Sequence, residues 1–94
     1  MTFDISIHGR GGHGSRPDNS INPIDCFAAV LSAMESLGNG QITRVDGGTA
    51  SNIIPNTVRF EGTLENAEAQ QVKTLVDSLC DAFNCRAECH TLDK

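Results

Sequence analysis

Val58-Arg59-Phe60-Glu61-Gly62-Thr63-Leu64 carries the clearest structural signal on the chain. Val58, Phe60, Gly62 and Leu64 alternate with Arg59, Glu61 and Thr63, the period of two that a strand with one buried face requires. Toward the N-terminus, Phe3-Asp4-Ile5-Ser6-Ile7-His8 repeats that alternation and predicts a first strand, and Gln41 to about Asp46 predicts a short, weakly alternating second one. Between them Asn22-Pro23-Ile24-Asp25 reads as a helix start. Asn22 is the N-cap, Pro23 occupies the first helical position where its missing N–H costs nothing, and Asp25 lies near the positive end of the dipole. Phe27, Val30, Leu31, Met34 and Leu37 then recur at helical spacing as one buried stripe, and Gly38 with Asn39-Gly40 supplies the stop. Toward the C-terminus, Asn66 is the expected cap of a second helix with Val72, Leu75, Val76, Leu79, Cys80 and Phe83 as its buried stripe. A last strand is expected from near Arg86 to Leu92. The order β-α-β-β-α-β, with two helical crossovers and a central hairpin, predicts an α+β ferredoxin-like two-layer sandwich: a four-stranded antiparallel sheet with both helices on one face.

The 94 residues suffice for one small domain, expected to span 1–94. A chain of this size buries roughly 60–65% of its unfolded surface, which disfavours a deep internal active site. Seven Lys and Arg stand against twelve Asp and Glu, a net charge of −5, and there is no Trp or Tyr. Neither a basic groove nor stacking platforms can be built from that composition, so nucleic acid is not the expected partner. The longest apolar run, Cys26 to Leu31, is far short of the roughly 20 residues of a membrane span. No basic and apolar leader is visible at Met1-Thr2-Phe3-Asp4, and cytoplasm is the expected location. Cys26 and Cys80 fall on apolar helical faces, where a free thiol acts as a small hydrophobe. Cys80, Cys85, Cys89 and His90 lack the paired spacing of a zinc knuckle, and the three cysteines read as two helix residues and one strand residue.

Chemistry is expected on two long loops. The first, Gly9-Arg10-Gly11-Gly12-His13-Gly14-Ser15-Arg16-Pro17, is too rich in glycine for a regular element. It contains a literal G-x-G-x-x-G after a strand, but Pro17 and five further residues separate the glycines from the next helix. The pyrophosphate site of a dinucleotide fold needs that helix to begin at the glycines, so the match is rejected. His13, with His8 and Arg10 nearby, has no neighbouring side chains to pack against. It is either a solvated turn residue or a hydrogen-bond donor presented to a ligand or oxyanion. The second loop, Gly47 to Asn56, displays Asn52. Neither loop carries a metal-ligand set, and no Ser or Cys has a His at motif spacing.

His8-Gly9-Arg10-Gly11-Gly12-His13-Gly14-Ser15-Arg16-Pro17, Asn22-Pro23-Ile24, Gly47-Gly48-Thr49-Ala50-Ser51-Asn52-Ile53-Ile54-Pro55-Asn56 and Phe60-Glu61-Gly62-Thr63-Leu64, in that order and spacing, resemble the lid or dimerisation domain of the zinc-dependent amidohydrolase and exopeptidase family. That family includes hippurate hydrolases, aminoacylases, carboxypeptidase G and succinyl-diaminopimelate desuccinylase. The resemblance implies an inserted βαββαβ domain whose parent holds its divalent metal, zinc, in a separate catalytic domain, with no cofactor in this chain. It implies that His13 reaches the partner subunit's active site and stabilises the oxyanion of a small amide substrate. It further implies that Asn52 holds the substrate, with Gly47 and Gly48 letting the loop backbone come close, and that a homodimer forms through the first helix and second strand.

One position departs from the family. Where relatives commonly carry an arginine for the substrate's carboxylate after Gly62-Thr63-Leu64, this chain has Glu65, which would repel an anion. Either the substrate presents a neutral or cationic group there, or another arginine such as Arg59 substitutes, or the parent's activity is altered. Two competing readings are a free-standing ferredoxin-like module that binds a small regulatory ligand at its glycine-rich loops, and a metal carrier built on Cys85, Cys89 and His90.

Overall fold

The computed structural model describes residues 2–13, 20–36, 40–48, 51–65 and 68–91. Strands β1 (Thr2–His8) and β5 (Thr57–Leu64) follow the alternation: Phe3, Ile5 and Ile7 on one, and Val58, Phe60, Gly62 and Leu64 on the other, are buried. The two pair antiparallel from Thr2↔Thr63 to His8↔Thr57. β1 also pairs antiparallel with β6 (Arg86–Thr91), and β5 with β3 (Gly40–Gly47). The sheet order is therefore β3-β5-β1-β6, the ferredoxin-like arrangement, in which the strands expected second and fourth form the edges. Helices α1 (Pro23–Met34) and α2 (Ala69–Ala82) pack on one face, their Cys26, Val30, Met34, Val72, Val76 and Cys80 joining Phe3, Ile5, Ile7, Phe60 and Leu64 in a single core. Phe60 is its hub, edge-on to Phe3 at 6.1 Å and tilted against Phe27 at 4.8 Å between ring centroids.

Local chemistry sets the helix ends. The Asn22 side-chain oxygen accepts the Ile24 N–H at 3.0 Å, with Pro23 at the first position. The stripe of α1 differs from the expected one: Cys26, Val30 and Met34 are buried and Leu31 stays 37% exposed. Packing follows one i, i+4 ridge, which leaves Leu31 on the flank. Leu37 and, of the expected stop, Gly38 and Asn39 lie outside the described residues, and Gly40 is the first residue of β3. The cap of α2 is Glu68 rather than Asn66, because Glu68 and Gln71 have the spacing of a capping box; Glu68 N–H donates to Gln71 Oε1 at 2.8 Å. Asn66 is outside the described residues. Phe83, expected on the buried stripe, is 37% exposed at the C-cap. Asn84 follows at φ 60°, the left-handed position that Asn tolerates. Cys85 N–H then closes on Cys80 O at 2.7 Å and Asn84 N–H on Asp81 O at 3.2 Å, a Schellman ending.

That ending moves Cys85 off the helix into the α2–β6 connection, correcting the reading of two helical cysteines. All four cysteines are free thiols, and Cys26 Sγ and Cys80 Sγ lie 3.5 Å apart in the α1–α2 seam. Burial and the neighbouring Cys26 push the Cys80 thiol well up, and burial raises Cys85 to about 11.

The main departure is in the loops, which are not devoid of regular structure. Gly12–His13 (β2) and Ile53–Ile54 (β4) form a separate two-stranded antiparallel ribbon.

Candidate functional site

The ribbon is positioned by the end of the sheet at which β1 finishes and β5 begins. His8 Nε2–H donates to Glu88 Oε1 at 2.8 Å, leaving Nδ1 against Thr57 Oγ1 at 3.0 Å. One imidazole thus ties β1 to both neighbouring strands, and His8 is a clamp for the site. Beyond it, Gly9 N–H donates to Asn56 O at 2.8 Å, and Arg10 and Ile21 exchange both backbone bonds at 2.8 Å. Gly11 N–H donates to Asn56 Oδ1 at 2.7 Å. A side chain at Gly11 would run into Ile54 O, with Asn56 Oδ1 only 2.9 Å away. Glycine is required there because two backbones pass in contact.

The pinned loop delivers β2 to β4 in the register Gly12↔Ile54 and His13↔Ile53. His13 therefore sits across from the residue that follows Asn52, and Asn52 itself is exposed. The two sequence candidates are 39 positions apart and are neighbours on the ribbon. Gly47 closes β3 opposite Val58, placing Gly47-Gly48 at the same end of the sheet. Gly48 has φ +88° with open space where a Cβ would be, so glycine serves backbone conformation there. Asn56 is the residue that the sequence did not reveal. In the sequence it closes the second loop after Pro55, which reads as an ordinary turn.

Glu65 follows the last residue of β5. It is eight positions from Thr57, about 26 Å at ~3.3 Å per residue, so within one protomer it is at the far end of the sheet from the ribbon. Arg59 is already engaged. Its Nε donates to Asp4 Oδ1 at 2.9 Å, and its Nη2 donates to Asp4 Oδ2 at 2.6 Å and to Glu61 Oε1 at 3.2 Å. The Asp4 hydrogen bonds hold the guanidinium pKa above its ordinary value, and no substrate carboxylate is needed to satisfy it. Among the described residues no three His, Cys, Asp or Glu side chains come together to hold a metal, and no helix is long and apolar enough to cross a membrane.

The fold is a ferredoxin-like sandwich that carries, at one end of its sheet, a two-stranded ribbon with His13 on one strand and Asn52 just before the other. The model of the peptidase dimerisation domain family matches residues 1–88, and the chain belongs to that family. It is 31% identical to N-acetylcysteine deacetylase of Bacillus subtilis over an alignment of 103 residues, covering 92% of this chain and 27% of the relative. It is 30% identical to thermostable carboxypeptidase 2 of Saccharolobus solfataricus over 92% of this chain and 26% of the relative. Among solved structures, the aminobenzoyl-glutamate utilization protein of Klebsiella pneumoniae superposes with a TM-score of 0.82 at 16% identity, over 98% of this chain and 27% of that one. Aminopeptidase PepT of Bacillus cereus does so with a TM-score of 0.78 at 21% identity, over 95% of this chain and 27% of that one. These two likenesses show the fold. The chain spans about a quarter of the length of the curated relatives it matches.

Proposed function

We propose that this domain is the lid of a metal-dependent amidohydrolase or peptidase, closing over the substrate and joining two subunits. The parent cleaves the amide bond of N-acyl amino acids or small peptides, in the cytoplasm, and its catalytic domain holds the divalent metal, zinc. His13 is the catalytic contribution of the lid, its imidazole N–H stabilising the oxyanion as the carbonyl is attacked. Asn52 binds the substrate's polar end, and Gly47 and Gly48 allow the loop backbone to approach it. Self-association runs through α1 and β3, whose exposed Leu31 and Val45 suit a partner surface.

The observation that carries this reading is the β2–β4 pairing, which sets His13 opposite Ile53 and hence beside Asn52. This pairing brings two residues 39 positions apart in sequence to one end of the sheet, where another domain could complete a site, and Asn52 is exposed there. In the full-length enzyme carrying this domain, His13→Ala is expected to lower kcat about 10²–10³-fold, the usual cost of one oxyanion donor, with KM little changed. Asn52→Ala is expected to act mainly on KM. Unchanged hydrolysis of N-acyl amino acids and dipeptides by the His13 variant overturns the assignment.

A further inference from the structure

Among the described residues β3 is paired on one flank only, with β5, and all its residues except Ile42 are exposed. Such an edge is a template for another strand. The pairing with β5 sorts its side chains. Val45 lies beside Phe60 on the helix side, whereas Arg44 lies beside Glu61 and Asp46 beside Arg59 on the open face, after a bulge between Ile42 and Arg44. Arg44 Nε donates to Asp46 Oδ2 at 2.8 Å, and both side chains are more than half exposed, so each can accept a second partner. A groove of about 330 Å³ between the end of α1 and β3, bordered by Leu31, Met34, Gln41 and Ile42, continues the surface on the helix side.

An antiparallel copy of β3 related by a two-fold axis normal to the sheet must keep opposed side chains on the same face. Each allowed alignment is therefore centred on a single residue and its own mate. Centring on Arg44 stacks two guanidinium groups, and centring on Asp46 stacks two carboxylates. Centring one residue further out, on Thr43 or Gly47, leaves both charges opposite uncharged residues. Centring on Val45 sets Arg44 against Asp46 of the copy, and Asp46 against Arg44 of the copy, while the two Val45 side chains meet on the helix side beside α1.

Resting on the dimerisation reading above, in which the β3 edge meets a second copy of this chain, we infer that the two copies are held in the register centred on Val45. The register makes one continuous row of alternating charge across the joined sheets: Arg59, Asp46, Arg44 of the copy, Glu61 of the copy. Two chains of net charge −5 repel at long range, and this local complementarity is what makes self-association selective.

Sedimentation equilibrium of the 94-residue chain tests it, with folding of each variant checked by circular dichroism. Arg44→Glu and Asp46→Lys each place two like-charge pairs across the two-fold axis and are expected to raise the dimer dissociation constant about tenfold or more. The double variant restores both pairs and is expected to return to within about threefold of the parent chain. Val45→Cys is expected to form a disulfide between the two chains in oxidised glutathione, joining the introduced thiol to its own mate, mapped by peptide mass spectrometry. Thr43→Cys, with its mate about 14 Å away along the strand, is expected not to. A dimer insensitive to the single reversals, or not rescued by the double, overturns the register and leaves dimerisation standing. A chain that stays monomeric at every concentration overturns both.

Discussion

Asn56 holds the first loop with its side chain and its backbone carbonyl at once, through Gly11 N–H and Gly9 N–H. Removing Oδ1 leaves the backbone bond in place and strips the Gly11 amide of its acceptor, a loss of about 1 kcal/mol for a partly exposed bond. Asn56→Ala is accordingly expected to speed hydrogen exchange at Gly11 by about fivefold or more and to weaken the contacts between His13 and Ile53, while amides of β1 and β5 keep their protection. Asn56→Asp retains an acceptor and is expected to restore slow exchange. Exchange at Gly11 that is the same in all three proteins, read by NMR, contradicts the role. At this scale the sequence singled out His13, because its glycine neighbours leave a side chain nothing local to pack against, and Asn52 as a polar residue of the second long loop. It could not point to Asn56, whose partner lies 45 residues away and is joined to it only by the fold.

Elements with a repeating pattern were readable from sequence and those without one were not. β1 and β5 bury alternate residues, so seven or eight positions vote for each strand; β2 and β4 are two residues each and have no period to detect. Helix boundaries followed where a single strong cap stood alone, as at Asn22. They shifted where a better hydrogen-bonding pair, Glu68 with Gln71, competed with Asn66. Between elements, the open face of the sheet is tied by Asp4 and Arg59. Hydrogen bonding from Arg59 holds the Asp4 carboxyl below its usual range, against a smaller opposing effect of burial. With the folded pKa depressed, this contact stabilises the fold above the unfolded carboxyl value of about 4, and the contribution is lost as pH falls below it. The urea midpoint of Asp4→Asn should therefore lie below that of the parent chain at pH 6–7, and the two should converge toward pH 3. Parallel pH profiles with a constant gap would show that Asp4 acts through packing alone.

For the whole molecule, 94 residues hold one core between two helices and one sheet face, which leaves the other sheet face, the β3 edge and the ribbon for contact with something else. The acidic composition and the lack of a metal-ligand motif on the two loops are properties of the sequence itself. Self-association was legible through the family resemblance, whereas the flank of β3 left without a neighbouring strand follows from the topology. In the proposed function, one copy of this domain lends His13 to a hydrolytic site on the other subunit. The most direct test is a purified heterodimer of the full-length enzyme, carrying His13→Ala in one subunit and an inactivated metal site in the other. Neither variant homodimer is expected to turn over substrate appreciably. If His13 acts across the two-fold axis, the heterodimer contains one complete site out of two and should hydrolyse an N-acyl amino acid at about half the parent rate; activity no greater than that of the two homodimers would contradict the account.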